Sequence, residues 1–288
     1  ATMKLIASAL PKNKRTMGVS VHSLVRRIPM ALGPIVGGAM IGLFGESLGV
    51  RIAFGGAFFF ALLALLLQQR LIDDAHQDVV ERPEGNPLKI FRKMSPELKN
   101  LLVSDILVRF CEQIPYAFAV VWAMKTIASP VTAFQFGLLT AVEMVVALLI
   151  YIPVAWLADR GRKKIFVTIT FCFFTAFPLA LLASRSFEAL LIAFAVRGLK
   201  EFGEPTRKSL ILDLSPQGES AAMFGLYYLL RDTVVSVAAF GGAFLWMAGP
   251  AVNFLTASAF GAAGTIWFIV YGKDLPSGEA VAKGDGAG

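Results

Sequence analysis

The stretch LKNLLVSDILVRFCEQIPYAFAVVWAMK, residues 98–125, decides the fold. It is long enough to cross a bilayer, whose hydrocarbon core of roughly 30 Å takes about 20 residues of helix. Its ionisable residues sit near mid-depth and keep a helical spacing. Asp105, Arg109, Glu112 and Tyr116 recur at i, i+4, i+7 and i+11. At about 100° per residue they share one narrow stripe. Facing hydrocarbon, each ion would cost about 2.5–3.5 kcal/mol even on the lenient insertion scale. The stripe must therefore face protein or water.

Seven more stretches have comparable length: 17–44, 51–71, 131–158, 164–184, 187–213, 219–247 and 250–272. The composition agrees, at 56% hydrophobic and 16% charged, against about 25% charged in soluble domains. Eight such runs could not all be hidden inside a soluble chain of 288 residues. The fold read from this is all-α, a polytopic transmembrane helix bundle of about eight spans. The second, fifth and eighth spans are apolar all round and are expected at the lipid-facing periphery. The others carry charges at depth.

The net charge is +7, yet the basic residues do not form a nucleic-acid surface. With Ala1 in the cytoplasm, most of the 27 lysines and arginines fall in cytoplasmic segments: 1–17, 70–99, 160–164, Arg207 and Lys208, Lys273 and Lys283. Arg51, Lys125 and Arg185 fall on the other side. This positive-inside asymmetry places both ends in the cytoplasm, as in a bacterial inner-membrane protein. The bilayer is the expected partner and nucleic acid is not.

Residues 73–97, DDAHQDVVERPEGNPLKIFRKMSPE, are polar and contain Pro83, Gly85 and Pro87. They read as a cytoplasmic linker. Residues 1–72 then form part of one bundle and 98–273 a six-helix bundle, with a disordered tail over 274–288. Ser95, Pro96 and Glu97 make a helix start, with a capping hydroxyl, a first-turn proline and an acid near the positive end. Cys111 and Cys172 lack metal-ligand spacing and read as free buried thiols.

The chain contains an internal repeat. Residues 2–45 resemble residues 206–249. Pro11 pairs with Pro216 and Arg26 with Arg231; after a one-residue slip, Gly37 and Gly38 pair with Gly241 and Gly242. Repeats of this kind are common in secondary transporters.

Further residues carry chemistry. Arg197, Glu201, Glu204 and Lys208 repeat the stripe spacing of the third span on the sixth. Within one helix, Arg109 can pair with Glu112 or Asp105, and Arg197 with Glu201. Glu143 is the single charge at mid-depth of the fourth span. Desolvation disfavours a lone carboxylate anion, which makes Glu143 a candidate proton carrier; the bland alternative is a partner for Arg109 or Arg231. Arg231 and Asp232 sit mid-span in the seventh, where adjacent side chains diverge by about 100°. Gly33, Pro34, Gly37 and Gly38 lie in GPIVGG, a stretch of small residues that suits close helix packing and a kink. LADRGRKK, residues 157–164, closes the fourth span with Asp159, Arg160, Gly161, Arg162 and Lys163 in a tight basic turn.

Two of these motifs resemble those of the major facilitator superfamily. LADRGRKK is similar to that family's cytoplasmic latch, in which an Asp and basic residues follow the second helix of each half. Here one residue is missing between Arg160 and Gly161, and Ala155 stands where glycine is usual. GPIVGG resembles the end of the family's fifth-helix antiporter motif, with Pro29 and Ser20 where upstream glycines are expected. The resemblance implies that 1–273 correspond to helices five to twelve of a twelve-helix transporter, with upstream helices missing or a second copy taking their place. It implies that the charged third and sixth spans line a cavity, as helices seven and ten do in the family, and that the apolar spans are outer helices.

These readings converge on a secondary transporter moving a small solute by alternating access, with proton-coupled efflux as one form. No P-loop is present to bind nucleotide, no cofactor is implied, and the solute's charge stays open. A membrane enzyme fits poorly, since His22 and His76 lie in unrelated segments without a nucleophile or metal constellation. The alternative is a non-transporting membrane protein or an inactive fragment.

Overall fold

The computed structural model describes residues 15–71, 87–158, 162–216 and 220–273. All regular elements among them are helical: α1 (Arg15–Leu71), α2 (Pro87–Lys93), α3 (Pro96–Gln113), α4 (Phe118–Val121), a π-helical turn (Trp122–Thr126), α5 (Ala133–Ala158), α6 (Lys163–Ala183), α7 (Phe187–Leu199), α8 (Glu204–Asp213), α9 (Ser220–Ala248) and α10 (Pro250–Tyr271). Among the described residues, six helical stretches are long and apolar enough to span a membrane. The eight expected spans reduce to six for two reasons, both visible in the backbone.

The first is Gly45. The first two expected spans run together as α1, but Gly45 has φ 78° and ψ 168°, outside the helical region. A Cβ on Gly49 would stand 2.5 Å from the Met40 carbonyl oxygen. In a straight helix nine residues rise about 13.5 Å, so the chain turns sharply at Gly45. The second reason is the sixth span, which breaks at 200–203 into α7 and α8. There the Gly203 N–H donates to Thr170 Oγ1, and a Cβ on Gly203 would collide with the Phe166 carbonyl. The break is thus held tightly against α6. The third span is interrupted as well: α3 ends at Gln113, and Pro115, which has no N–H to donate, sits in the turn before α4.

The start of α3 is as its sequence predicts. Ser95 Oγ accepts from the Leu98 N–H at 3.2 Å, with Pro96 in the first turn. The predicted linker contains a short helix at its end. Residues 72–86 lie outside the described residues, as does the tail from 274, but 87–93 form α2. Ile90 and Met94, one turn apart, are buried against the bundle and draw this segment in.

Two large apolar clusters organise the bundle, beside a smaller one around Cys111, Ile114, Ala238 and Ala257. One joins α3, α6, α8, α9 and α10 around Leu98, Val108, Phe171, Leu210, Tyr227 and Phe268. The other joins the π-helical turn with α5, α6, α7 and α10 around Trp122, Leu139, Leu181, Phe194 and Phe254. The first cluster ends at a closed ring of polar ties. Lys163 Nζ lies 2.5 Å from Asp213, Lys164 Nζ donates to the Ile269 carbonyl at 2.8 Å, Lys273 meets Glu97 at 3.1 Å, and Ser95 Oγ donates to the Leu214 carbonyl at 3.2 Å. These four contacts link α6, α8, α3 and α10 in a circle. Of the predicted basic turn, Asp159, Arg160 and Gly161 lie outside the described residues. Lys163 takes part in the ring, and Arg162 is exposed at the start of α6.

The spans read as peripheral differ from one another. Residues 50–71 are exposed almost all round. By contrast α6 and α10 each bury one face; on α10 this face carries Asn253, Phe254, Ala257, Gly261, Gly264 and Phe268. Small residues explain it: a Cβ at Gly264 would meet the Ser104 carbonyl of α3 at 2.8 Å. Of the two free thiols, Cys111 is buried and Cys172 exposed, so the second does not follow the buried reading.

Candidate functional site

Between the two apolar clusters lies a charged layer that opens into a cavity of about 860 Å³. Its charged walls come from five places: Arg27, Met30 and Pro34 on α1; Arg109 and Glu112 on α3, with Tyr116 in the turn beyond; Phe136, Thr140, Glu143 and Met144 on α5; Arg197 on α7 with Lys200 and Glu201 after it; Glu204 and Lys208 on α8. The α1 wall is close to α5 because two glycines let the backbones meet. A Cβ at Gly38 would stand 2.5 Å from the Ala133 carbonyl oxygen, and one at Gly137 would stand 2.5 Å from that of Pro34. Gly33 and Gly37 have open space at that position. The GPIVGG motif therefore packs through Gly38 rather than through all its glycines.

The charges form a ladder of alternating sign. Arg197 Nε lies 3.3 Å from Glu143 Oε1, and the same oxygen lies 3.3 Å from Lys200 Nζ. Lys200 is 2.8 Å from Glu112, whose other oxygen takes Arg109 Nη1 at 2.6 Å. Arg109 reaches Glu204 at 3.3 Å. Glu204 also holds Arg207, at 2.6 Å, and Arg207 pairs with Asp105. Asp105 accepts from Arg231 at 3.4 Å, and Arg231 meets Asp232 at 2.7 Å. A branch runs from Glu204 to Lys208 at 3.6 Å. A separate pair, Arg27 with Glu201 at 2.7 Å, ties α1 to the break between α7 and α8. Charges at such depth persist because each is shared with an opposite neighbour; removing one partner would strand the other away from water.

Seven of the sequence candidates meet at this cavity: Arg109, Glu112, Tyr116, Glu143, Arg197, Glu201 and Glu204. Three do not. Asp105 is buried behind the cavity wall, where Tyr227 Oη also donates to it at 3.1 Å. Arg231 turns inward to Asp105, stacking over the Tyr228 ring at 4.1 Å, and Asp232 points outward with a side chain 61% exposed. Both sit on α9, which packs on α3 and α10 away from the cavity.

The partner assignments change in two places. Glu143 is not alone: it is shared by Arg197 and Lys200, rather than by Arg109 or Arg231. Arg197 and Glu201 do not pair within their segment, because the helix breaks between them and each reaches another element. The expected Arg109–Glu112 pair is present. Sequence reasoning missed Lys200 as a site residue, and it placed Arg207 in a cytoplasmic segment. Arg207 is in fact 1% exposed and lies under the cavity. The signal was available in RGLKEFGEPTRK, where the anions Glu201 and Glu204 are interleaved with Arg197, Lys200, Arg207 and Lys208. Among the described residues, no group of three or more His, Cys, Asp or Glu side chains is placed to hold a metal ion.

A family model described as Major Facilitator Superfamily matches residues 101–287. No curated protein matches the chain. The matched region contains every residue of the charge ladder. The stripe-bearing third and sixth spans, the two that the motif resemblance assigned to cavity lining, do wall the cavity. On that match, and with an all-helical bundle of membrane-crossing length to carry it, the chain belongs to the major facilitator superfamily and is a membrane transporter of that type.

Proposed function

We propose that the chain works as a secondary active transporter, in which a solute bound in the charged cavity is exposed to one side of the membrane and then the other. The observation that carries this reading is the cavity itself. Its floor is a continuous run of ion pairs contributed by α3, α5, α7 and α8, and its opposite wall is α1, which meets α5 through close glycine contacts. The Arg27–Glu201 pair that ties α1 to the break between α7 and α8 lies outside the ladder, so α1 can shift without unmaking the ladder's own ion pairs. Upstream helices or a second copy would complete the enclosure. The basic residues around 162–164 and 273 favour an inner-membrane orientation with that end in the cytoplasm.

Coupling to protons in an efflux direction is the form proposed, with Glu143 as carrier. Protonating Glu143 would release Arg197 and Lys200 together, since one carboxylate holds both. The test is flux in proteoliposomes. Glu143→Gln should abolish uptake driven by a pH gradient while sparing exchange of solute across the membrane. Proton-driven flux unchanged in this variant would remove Glu143 from the coupling step.

A further inference from the structure

The charge ladder has two ends, and they differ. One is Asp232, which faces outward on α9. The other is Arg197, which lines the cavity. Arg197 comes nearest its neighbour Glu143 at Nε, 3.3 Å from Oε1. Among the described residues, neither terminal nitrogen of its guanidinium makes a hydrogen bond. The group is nonetheless fixed in place. Its plane rests against the rings of Phe177, Phe194 and Tyr116, at 5.1, 5.6 and 5.7 Å to their centroids. Aromatic faces attract the cation without taking up its N–H donors. The result is an oriented fork of free donors beside an open volume.

A fork of parallel N–H groups matches a planar carboxylate in a bidentate manner. The charge count of the walls points the same way. Among the described residues, Arg27, Arg109, Arg197, Lys200 and Lys208 face the cavity, against Glu112, Glu143, Glu201 and Glu204, which leaves one positive charge in excess. A single negative charge on the solute balances it. A dianion would leave the cavity net negative away from bulk water, and a cation would raise the imbalance to two. Beside its ions the cavity wall carries apolar groups, Phe136 and Met144 on α5, Met30 on α1, and Tyr116, whose ring lies against Arg197. We infer that Arg197 docks the carboxylate of a small organic monoanion whose apolar or aromatic body lies on Tyr116, Phe136 and Met144. This rests on the transport reading above.

The experiment offers proteoliposomes containing the full chain a defined mixture of solutes. The mixture holds aryl and alkyl carboxylates, the amide of each, the amine of each and the corresponding monophosphate ester, and the lumen is analysed by mass spectrometry against empty liposomes. The inference predicts accumulation of carboxylates over their amides, amines and phosphate esters. It predicts that Arg197→Gln lowers carboxylate uptake roughly tenfold to a hundredfold, as expected for loss of a charge-assisted bond. Arg197→Lys, which keeps the charge and loses the fork, should fall between. Accumulation of amides, amines or phosphate esters in preference to carboxylates overturns the anion inference and leaves transport standing. The same holds if Arg197→Gln takes up carboxylates as the unsubstituted chain does. Accumulation of no member of the mixture contradicts the transport reading itself. The comparison among solutes needs no variant, so a misfolded Arg197→Gln does not remove the test.

Discussion

Gly45 and Gly249 stand at the last position of the two copies of the internal repeat, and both hold backbone angles that only glycine adopts readily. Their φ values are 78° and 140°, and no other described residue has a positive φ. Each ends a long helical segment and feeds the next: Gly45 inside α1, Gly249 between α9 and α10. The sequence repeat thus corresponds to a repeated backbone device. It lets an apolar helix end and the chain reverse without a long loop.

Alanine at either position would be forced into a region that costs roughly 1–3 kcal/mol. Gly45→Ala and Gly249→Ala should each lower stability by about that amount in detergent unfolding experiments. Gly55→Ala and Gly56→Ala, on an exposed helical stretch with nothing within 4 Å of the new methyl, should be neutral or gain up to about 1 kcal/mol. Equal behaviour of the four variants would mean that the turns are not held by these angles.

The repeat also predicts which glycine of each pair matters. Gly38 packs on the backbone of Ala133, and its counterpart Gly242 would place a Cβ 2.4 Å from the Ile114 carbonyl oxygen. Their neighbours Gly37 and Gly241 face open space. Gly38→Ala and Gly242→Ala should each cost about 1–3 kcal/mol through overpacking against main chain that cannot yield. Gly37→Ala and Gly241→Ala should leave stability within about 0.5 kcal/mol. Thermal unfolding of the four purified variants checks this, and a reversal within either pair would place the helix contacts on the wrong face.

The buried pair of Asp105 and Arg207, each 1% exposed, should behave as a unit. Removing one partner strands the other, at about 3–5 kcal/mol for Asp105→Asn or Arg207→Gln alone. The double variant should lose clearly less than the sum. Equilibrium unfolding in mixed micelles gives the cycle directly, and additive losses would show that the two charges do not interact.

Much of this was legible in the sequence, and the limits have physical causes. Spacing at i, i+4 and i+7 placed Arg109, Glu112 and Glu204 on walls that cannot face lipid, since that argument needs only helical periodicity and the high cost of charge in hydrocarbon. Periodicity says nothing about a helix that breaks. The interruption at 200–203 re-aims Glu201 toward Arg27 and leaves Arg197 to Glu143, and neither pairing could be read along one helix. Counting Arg207 as a cytoplasmic anchor followed from its place near the end of a sixth span read as uninterrupted over 187–213. In the structure the break brings it back beneath the cavity. Arg231 and Asp232 were placed on a charged span correctly, but which wall that span joins depends on packing between helices far apart in sequence.

The account's central claim is that this cavity opens to both sides of the membrane in turn, and accessibility of one wall residue tests it most directly. Thr140 lines the cavity from α5. Thr140→Cys, in a chain with Cys111→Ala and Cys172→Ala, would be exposed to a membrane-impermeant maleimide in right-side-out and in inside-out vesicles. The account predicts labelling from both faces. Labelling from one face only, or from neither, would contradict it.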